Sequence, residues 1–254
     1  MMFDHFLKID AIYTETPKNS IHSEEIIQTL KKEKEYYQDS YKKFGINSRY
    51  VASNNEKFEE LSCEASSKLL LKENIPTTDI SLLVVVSQTS TSRLPNSGHI
   101  IQSLLGLKET CVIFDINDGC NGYINALALM DRYLRPNEKG LLVSGDLMSQ
   151  YTNHSDISNR LLMGDAISAS LITKSNEAQG KLLINNDGDG AQSIRLEEVE
   201  KGFCFQMDGF KVFSFTMGKI PRFVKKFIDD SEDAIDNFDF IIPHQANMIL
   251  LDNI

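Results

Sequence analysis

No segment of this 254-residue sequence approaches the run of about eighteen apolar residues that a membrane-spanning helix needs, so a soluble protein is expected. No CxxC pair occurs either. Cys63, Cys111, Cys120 and Cys204 lie far apart, which argues against both a zinc site and a disulfide framework and for reduced thiols. Nor is there a surplus of base: 26 Lys and Arg stand against 36 Asp and Glu, a net charge of -10. Nucleic acid is therefore not expected as the main partner, because phosphate binding needs a basic surface. Residues 1–10 carry neither a basic n-region nor a continuous apolar stretch, so no secretory signal is visible and the cytoplasm is the expected compartment. The acidic turn Asn185-Asn186-Asp187-Gly188-Asp189-Gly190 is no calcium loop, since Gln192 stands where such a loop needs glycine, and no metal is expected.

What the sequence does contain is an alternation of helical and extended patterns. Residues 6–13 read as a first strand, and 23–37 as a polar helix capped near Ser23 by the glutamates that follow. Its Lys31, Lys32 and Lys34 alternate with Glu33 and Glu35, and Arg222, Lys225 and Lys226 recur at helical spacing; both read as solvated helix faces. In 55–73 the apolar positions Phe58, Leu61, Ala65, Leu69 and Leu70 recur at three and four, which predicts a helix that Pro76 stops. Ile80 to Val86 is almost continuously apolar and β-branched, the pattern of a strand buried on both faces. Further helices are predicted at 97–105 and 122–134, with strands at 111–115, 140–144 and 166–173. This alternation predicts a parallel α/β architecture. A helix, a buried strand and a polar segment recur at 213–229, 238–242 and Pro243-His244-Gln245-Ala246-Asn247, which reads as an internal duplication.

Two residues stand out chemically. Cys120, between Gly119 and Gly122, joins a strand to the start of an apolar helix, where orphan N–H groups and the macrodipole favour a thiolate. The position is expected to lie inside the protein, so a passive buried thiol stays open as the alternative. His244 follows the apolar run Phe240-Ile241-Ile242, which delivers an imidazole into a polar cluster where it could stabilise a thiolate or a developing enolate. The other four histidines lie in polar or poorly patterned contexts.

The Cys120 segment, the Gly164-Asp165-Ala166 turn, the run Met207-Asp208-Gly209-Phe210-Lys211-Val212-Phe213 and Pro243-His244-Gln245-Ala246-Asn247 together resemble ketoacyl-acyl-carrier-protein synthase III of the thiolase superfamily. Gly45-Ile46 through Arg49 is similar to that family's early Gly-Ile-x-x-Arg region, so the resemblance covers nearly the whole chain. It implies an α/β thiolase-like fold of two similar halves around central helices, residues 1–175 carrying the cysteine and 176–254 a partial second half with the histidine. It also implies a cytoplasmic homodimer that needs no permanently bound cofactor and takes acyl-CoA or acyl-carrier-protein thioesters as substrates, with the acyl carrier protein as partner. Cys120 would accept an acyl group, and His244 would bind the malonyl thioester carbonyl, in a decarboxylative condensation to a 3-ketoacyl thioester. Gly209, Phe213, Ala246 and Asn247 would line the pantetheine tunnel and Leu94 would reach the partner's acyl pocket, although Phe213 and Leu94 could equally be core.

Two departures qualify the match. The family's third catalytic residue, an asparagine in a Gly-Asn-Thr-Ser type segment, has no counterpart, since no Gly-Asn dipeptide occurs and the sequence stops ten residues after His244. The expectation is that the sequence is incomplete. The family's adenine-holding tryptophan is also absent, leaving Tyr37, Tyr41 and Lys43 as substitutes and making a carrier-protein donor more attractive; Lys211, Arg222, Lys225 and Lys226 are the candidate docking bases. A cysteine-dependent acyltransferase acting on an alcohol or amine, or a degenerate non-catalytic homologue, are the competing readings.

Overall fold

The computed structural model describes residues 2–30, 33–92, 94–177, 180–200, 202–231 and 238–253. Lys31 and Lys32 of the basic run lie outside them. In chain order the elements are β1 (Met2–His5), β2 (Leu7–Glu15), β3 (Asn19–His22), α1 (Ser23–Gln28), α2 (Lys34–Phe44), β4 (Ser48–Val51), α3 (Phe58–Lys72), β5 (Ile80–Val86), α4 (Ser97–Leu105), β6 (Val112–Ile116), α5 (Gly122–Tyr133), β7 (Lys139–Leu147), α6 (Ile157–Leu162), β8 (Asp165–Lys174), β9 (Gly180–Leu183), β10 (Ile194–Val199), β11 (Gly202–Met207), α7 (Gly209–Ser231) and α8 (Met248–Leu251). They fall into two compact units, one of residues 1–19, 50–150 and 165–184, the other of 20–49, 151–164 and 185–254.

The first unit is built on a five-stranded sheet of order β2-β8-β7-β5-β6. β5 lies parallel to both β6 and β7, as the buried run predicts. β8 runs antiparallel to β7 and to β2, so the sheet is mixed rather than wholly parallel. The reversal follows from the connection: β7 returns through a loop and α6 rather than through a helix laid along the sheet, and a right-handed crossover is what parallel pairing requires. Because successive side chains of a strand point to opposite faces, β5 feeds two cores. Leu83 and Val85 pack with Phe58, Leu61, Ala65 and Leu69 of α3 and Ile101 of α4, whereas Leu82, Val84 and Val86 pack with Ala126 and Met130 of α5. A buried Asp131–Lys174 pair, joined by the Phe6 N–H, ties the α5 end to β8 and the chain start.

The second unit has a smaller core of Ile26, Ile27, Tyr41, Ile157 and Leu161. The single helix expected over 23–37 is instead two, α1 and α2. His22 and Glu25 form the capping box that starts α1, and α2 begins afresh at Lys34 and ends on Gly45, whose φ of 73° suits a residue without Cβ. Arg49 sits buried with its guanidinium donating to Ser23 Oγ at 2.7 Å and to the Leu161 carbonyl at 2.8 Å, so the arginine of the Gly-Ile segment is a staple between α1 and α6. β10 and β11 form an antiparallel hairpin that leads into α7. The strand expected over 238–242 does not form: among the described residues no strand pairs with it, and Phe240, Ile241 and Ile242 are exposed. An apolar run becomes a strand where a ladder partner and a covered face await it, and among the described residues this segment has neither.

Candidate active site

Three parallel strands end together in the first unit, and their trailing segments make the site. β5 runs into Ser87-Gln88-Thr89, β6 into Asn117-Asp118-Gly119-Cys120, and β7 ends in Gly145-Asp146-Leu147. In a parallel sheet, this carboxyl-end rim is where helix N-termini and loops collect functional groups. Cys120 occupies the turn just before α5, as the sequence indicates, but it is exposed rather than inside the protein. Both flanking glycines have close neighbours, a buried one at Gly122 and the end of the flexible Gln88 side chain at Gly119. A Cβ on Gly122 would lie 2.5 Å from Cγ1 of Val86, and one on Gly119 would lie 2.8 Å from Oε1 of Gln88.

The electrostatics of the turn differ from expectation. Although the residue reaches solvent, protein atoms crowd it on most sides, and this desolvation is the largest influence on the thiol, pushing its pKa up. Asp146 and Asp118 push it the same way, while the hydrogen bond from its own backbone N–H pulls it down. Desolvation, with the two carboxylates added to it, therefore outweighs the N–H at the helix start. Cys63 and Cys111 are inert for a simpler reason: burial raises each to about 11.

Sequence reasoning missed Asp146, which organises this rim, and met Asp165 only as part of the Gly164-Asp165-Ala166 turn. Asp146 Oδ1 accepts from Ser87 Oγ, the Gln88 and Thr89 N–H groups and Thr89 Oγ1, all at 2.8 to 2.9 Å. Asp165, first residue of β8 and middle of the Gly164-Asp165-Ala166 turn, accepts from Ser149 N at 2.8 Å, from Ala52 N at 2.7 Å and from the Ser149 hydroxyl. Burial raises the pKa of both carboxyls and these donors oppose it. Their polar neighbours in an apolar strand context were the available signal. Asp118 closes the nucleophile turn itself, accepting from Gly119 N at 2.9 Å and from the Asn125 amide at 2.6 Å.

The remaining predicted residues divide between the units. Leu94, in the first, is 93% exposed, so it is not core. Gly209 and Phe213 lie in the first turns of α7 in the second unit, where Phe213 is likewise exposed. His244 is exposed in irregular chain, and desolvation by its neighbours holds the imidazole pKa below its ordinary value. Its carbonyl accepts from Ala246 N at 3.0 Å, and Asn247 caps α8 through Oδ1, which accepts from Leu250 N at 3.0 Å. The asparagine side chain is thus engaged in a cap. Met248 packs on Gly45, which joins the Gly-Ile segment to the histidine segment within this unit. Tyr41 offers no open aromatic face, being buried with its hydroxyl donating to Glu24. Among the described residues, no group of three His, Cys, Asp or Glu side chains is placed to hold a metal ion, and no helix is long and apolar enough to cross a membrane.

Residues 114–188, which contain Cys120 and both organising aspartates, match the sequence model of the 3-oxoacyl-[acyl-carrier-protein] synthase III family. The β-ketoacyl-[acyl-carrier-protein] synthase III of Clostridium perfringens is 28% identical, with 93% of this chain and 76% of the relative covered. That of Streptococcus sanguinis is 25% identical over 98% of this chain and 79% of the relative. Among solved structures, the 3-oxoacyl-(acyl-carrier protein) synthase of Burkholderia xenovorans superposes with a TM-score of 0.91 at 26% identity, over all of this chain and 77% of that one.

Proposed function

We propose that this chain, a relative of the 3-oxoacyl-acyl-carrier-protein synthases III with their thiolase-like fold, is a condensing transferase whose nucleophile is Cys120. The observation that carries the reading is the solvent-open thiol on a glycine-flanked turn at the carboxyl-end rim of the sheet. Cys120 sulfur attacks the carbonyl of an acyl thioester, forming an enzyme thioester as the carrier thiol leaves with the proton. A malonyl thioester then loses carbon dioxide, its carbanion attacks the enzyme thioester, and Cys120 departs from a 3-ketoacyl thioester. A thiol with a raised pKa is more fully protonated at neutral pH, and the thiolate, once formed, is the attacking species. His244, held neutral by its depressed pKa, is the group assigned to the malonyl carbonyl and the enolate.

The same reading assigns Leu94, Gly209, Phe213, Ala246 and Asn247 to the acyl and pantetheine surfaces, supported by the exposure of Leu94 and Phe213. It takes residues 1–175 and 176–254 as the two thiolase-like halves, the acyl carrier protein as partner, a homodimer as the working form and the cytoplasm as the compartment. Incubation with acetyl-CoA and a malonyl thioester should give a 3-ketoacyl product that disappears in Cys120→Ala. Acylation of Cys120 with no malonyl consumption would instead favour transfer to an alcohol or amine, and absence of any adduct would indicate a non-catalytic homologue.

A further inference from the structure

The geometry points to Asp146 as the positioning residue of the nucleophile turn: its Oδ1 clamps residues 87–89 beyond β5, and the clamp lays the Gln88 carboxamide against Gly119, next to Cys120. The inference deepens the proposed acyl transfer and rests on Cys120 being its nucleophile.

Four donors converge on that one oxygen, two backbone N–H groups and two hydroxyls. The Thr89 hydroxyl oxygen then accepts from Leu147 N at 2.8 Å, which fastens the segment back to β7. A carboxylate withdrawn from water needs such donors, and a segment held by all of them is fixed in register with the strand ends. Ser87 and Thr89 are buried while Gln88 between them is exposed, so pinning the neighbours turns the glutamine outward. There it meets Gly119, while Gly122 meets Val86, the last residue of β5. Gly122 is thereby seated against the end of β5 and Gly119 against the Gln88 side chain just beyond it, and the Asp146 carboxylate reaches that segment from β7. Charge adds a second, separable influence. Asp146 from β7 and Asp118 from the nucleophile's own loop both raise the Cys120 thiol, and Asp146 in turn faces Asp165.

Substitutions separate the two influences. Asp146→Asn keeps an Oδ1 acceptor and removes the charge, Asp146→Ala removes both, and Thr89→Val keeps the charge and removes one donor. Two rates are measured on the full chain: alkylation of Cys120 by iodoacetamide across pH, located by peptide mass spectrometry, and acetylation of Cys120 by acetyl-CoA. Asp146→Asn is expected to shift the alkylation profile to lower pH. Asp146→Ala should shift it likewise and slow acetylation by about ten- to a hundredfold, the range for a misplaced reacting group. The asparagine variant should recover most of that loss, and Thr89→Val should slow acetylation with its alkylation profile unmoved. An unshifted profile in Asp146→Asn, or equal losses in the asparagine and alanine variants, overturns the assignment. If Asp146→Ala does not fold, the asparagine and valine variants decide it on the same criteria. A wild-type chain that is alkylated but never acetylated would sink the acyl-transfer reading, and the alkylation profiles would still judge Asp146.

Discussion

Cys120 and His244 are held by opposite means. The cysteine turn rests on three strand ends, two close-packed glycines and an aspartate that gathers four donors, all inside a unit whose sheet is covered on both faces. The histidine hangs from irregular chain, steadied by a capped four-residue helix and by Met248 seated on Gly45. The difference shows how the same kind of sequence signal, a buried-looking strand followed by a polar motif, yields order only where neighbouring strands complete the ladder.

The sharpest way to break this contrast is to remove an aromatic side chain from each region. Phe58, 0% exposed between α3 and the sheet, should cost about 3–5 kcal/mol on truncation to Ala, read by denaturant unfolding. Phe240, 83% exposed, should change stability by no more than about 0.5 kcal/mol. Equal losses would mean that the 238–242 segment is as well packed as the sheet.

Glycines give the next largest effect. Gly122→Ala pushes a methyl into Val86 and should cost about 1–3 kcal/mol while slowing alkylation of Cys120. Gly45→Ala places a Cβ at positive φ and against Met248, a penalty of about 1–2 kcal/mol from the backbone alone, and should leave the Cys120 alkylation rate unchanged. An alkylation change in the second variant would contradict the separation of the two supports. Asn247→Ala removes the α8 cap and should cost about 1 kcal/mol, seen as faster amide exchange at Leu250.

The smallest effects are electrostatic, and they run in opposite directions. The His244 pKa is lowered, so its ring should stay neutral as pH falls past the value where free histidine protonates, as followed by NMR titration. The Cys120 pKa is raised, so its alkylation should keep climbing with pH beyond the range of an ordinary thiol. A Cys120 rate that levels off near neutrality would show the helix N-terminus prevailing over desolvation and the two carboxylates.

Legibility in the sequence followed the same division. β5, α3, α4 and α5 could be read within a few residues because their apolar periodicity is local and their partners lie in the same sheet. The break between α1 and α2 could not, since a polar stretch satisfies helical propensity equally well as one helix or two. Cys120 was legible as a turn before a helix. Its exposure and upward-shifted thiol were not, because exposure and desolvation are set by the packing around the rim, and part of the shift comes from Asp146, twenty-six residues further on.

By itself the sequence determined the α/β alternation, the placement of Cys120 at a strand-to-helix junction and the family resemblance carried by its ordered motifs, because each of these is written in neighbouring residues. Only the tertiary structure decided that β8 reverses, that 238–242 stays out of any sheet, that Asn247 is a cap, that Asp146 gathers residues 87–89 and that Asp165 ties Ser149 to Ala52. Strand pairing, desolvation and shared hydrogen bonds are set by residues distant in the chain, and no local pattern encodes them.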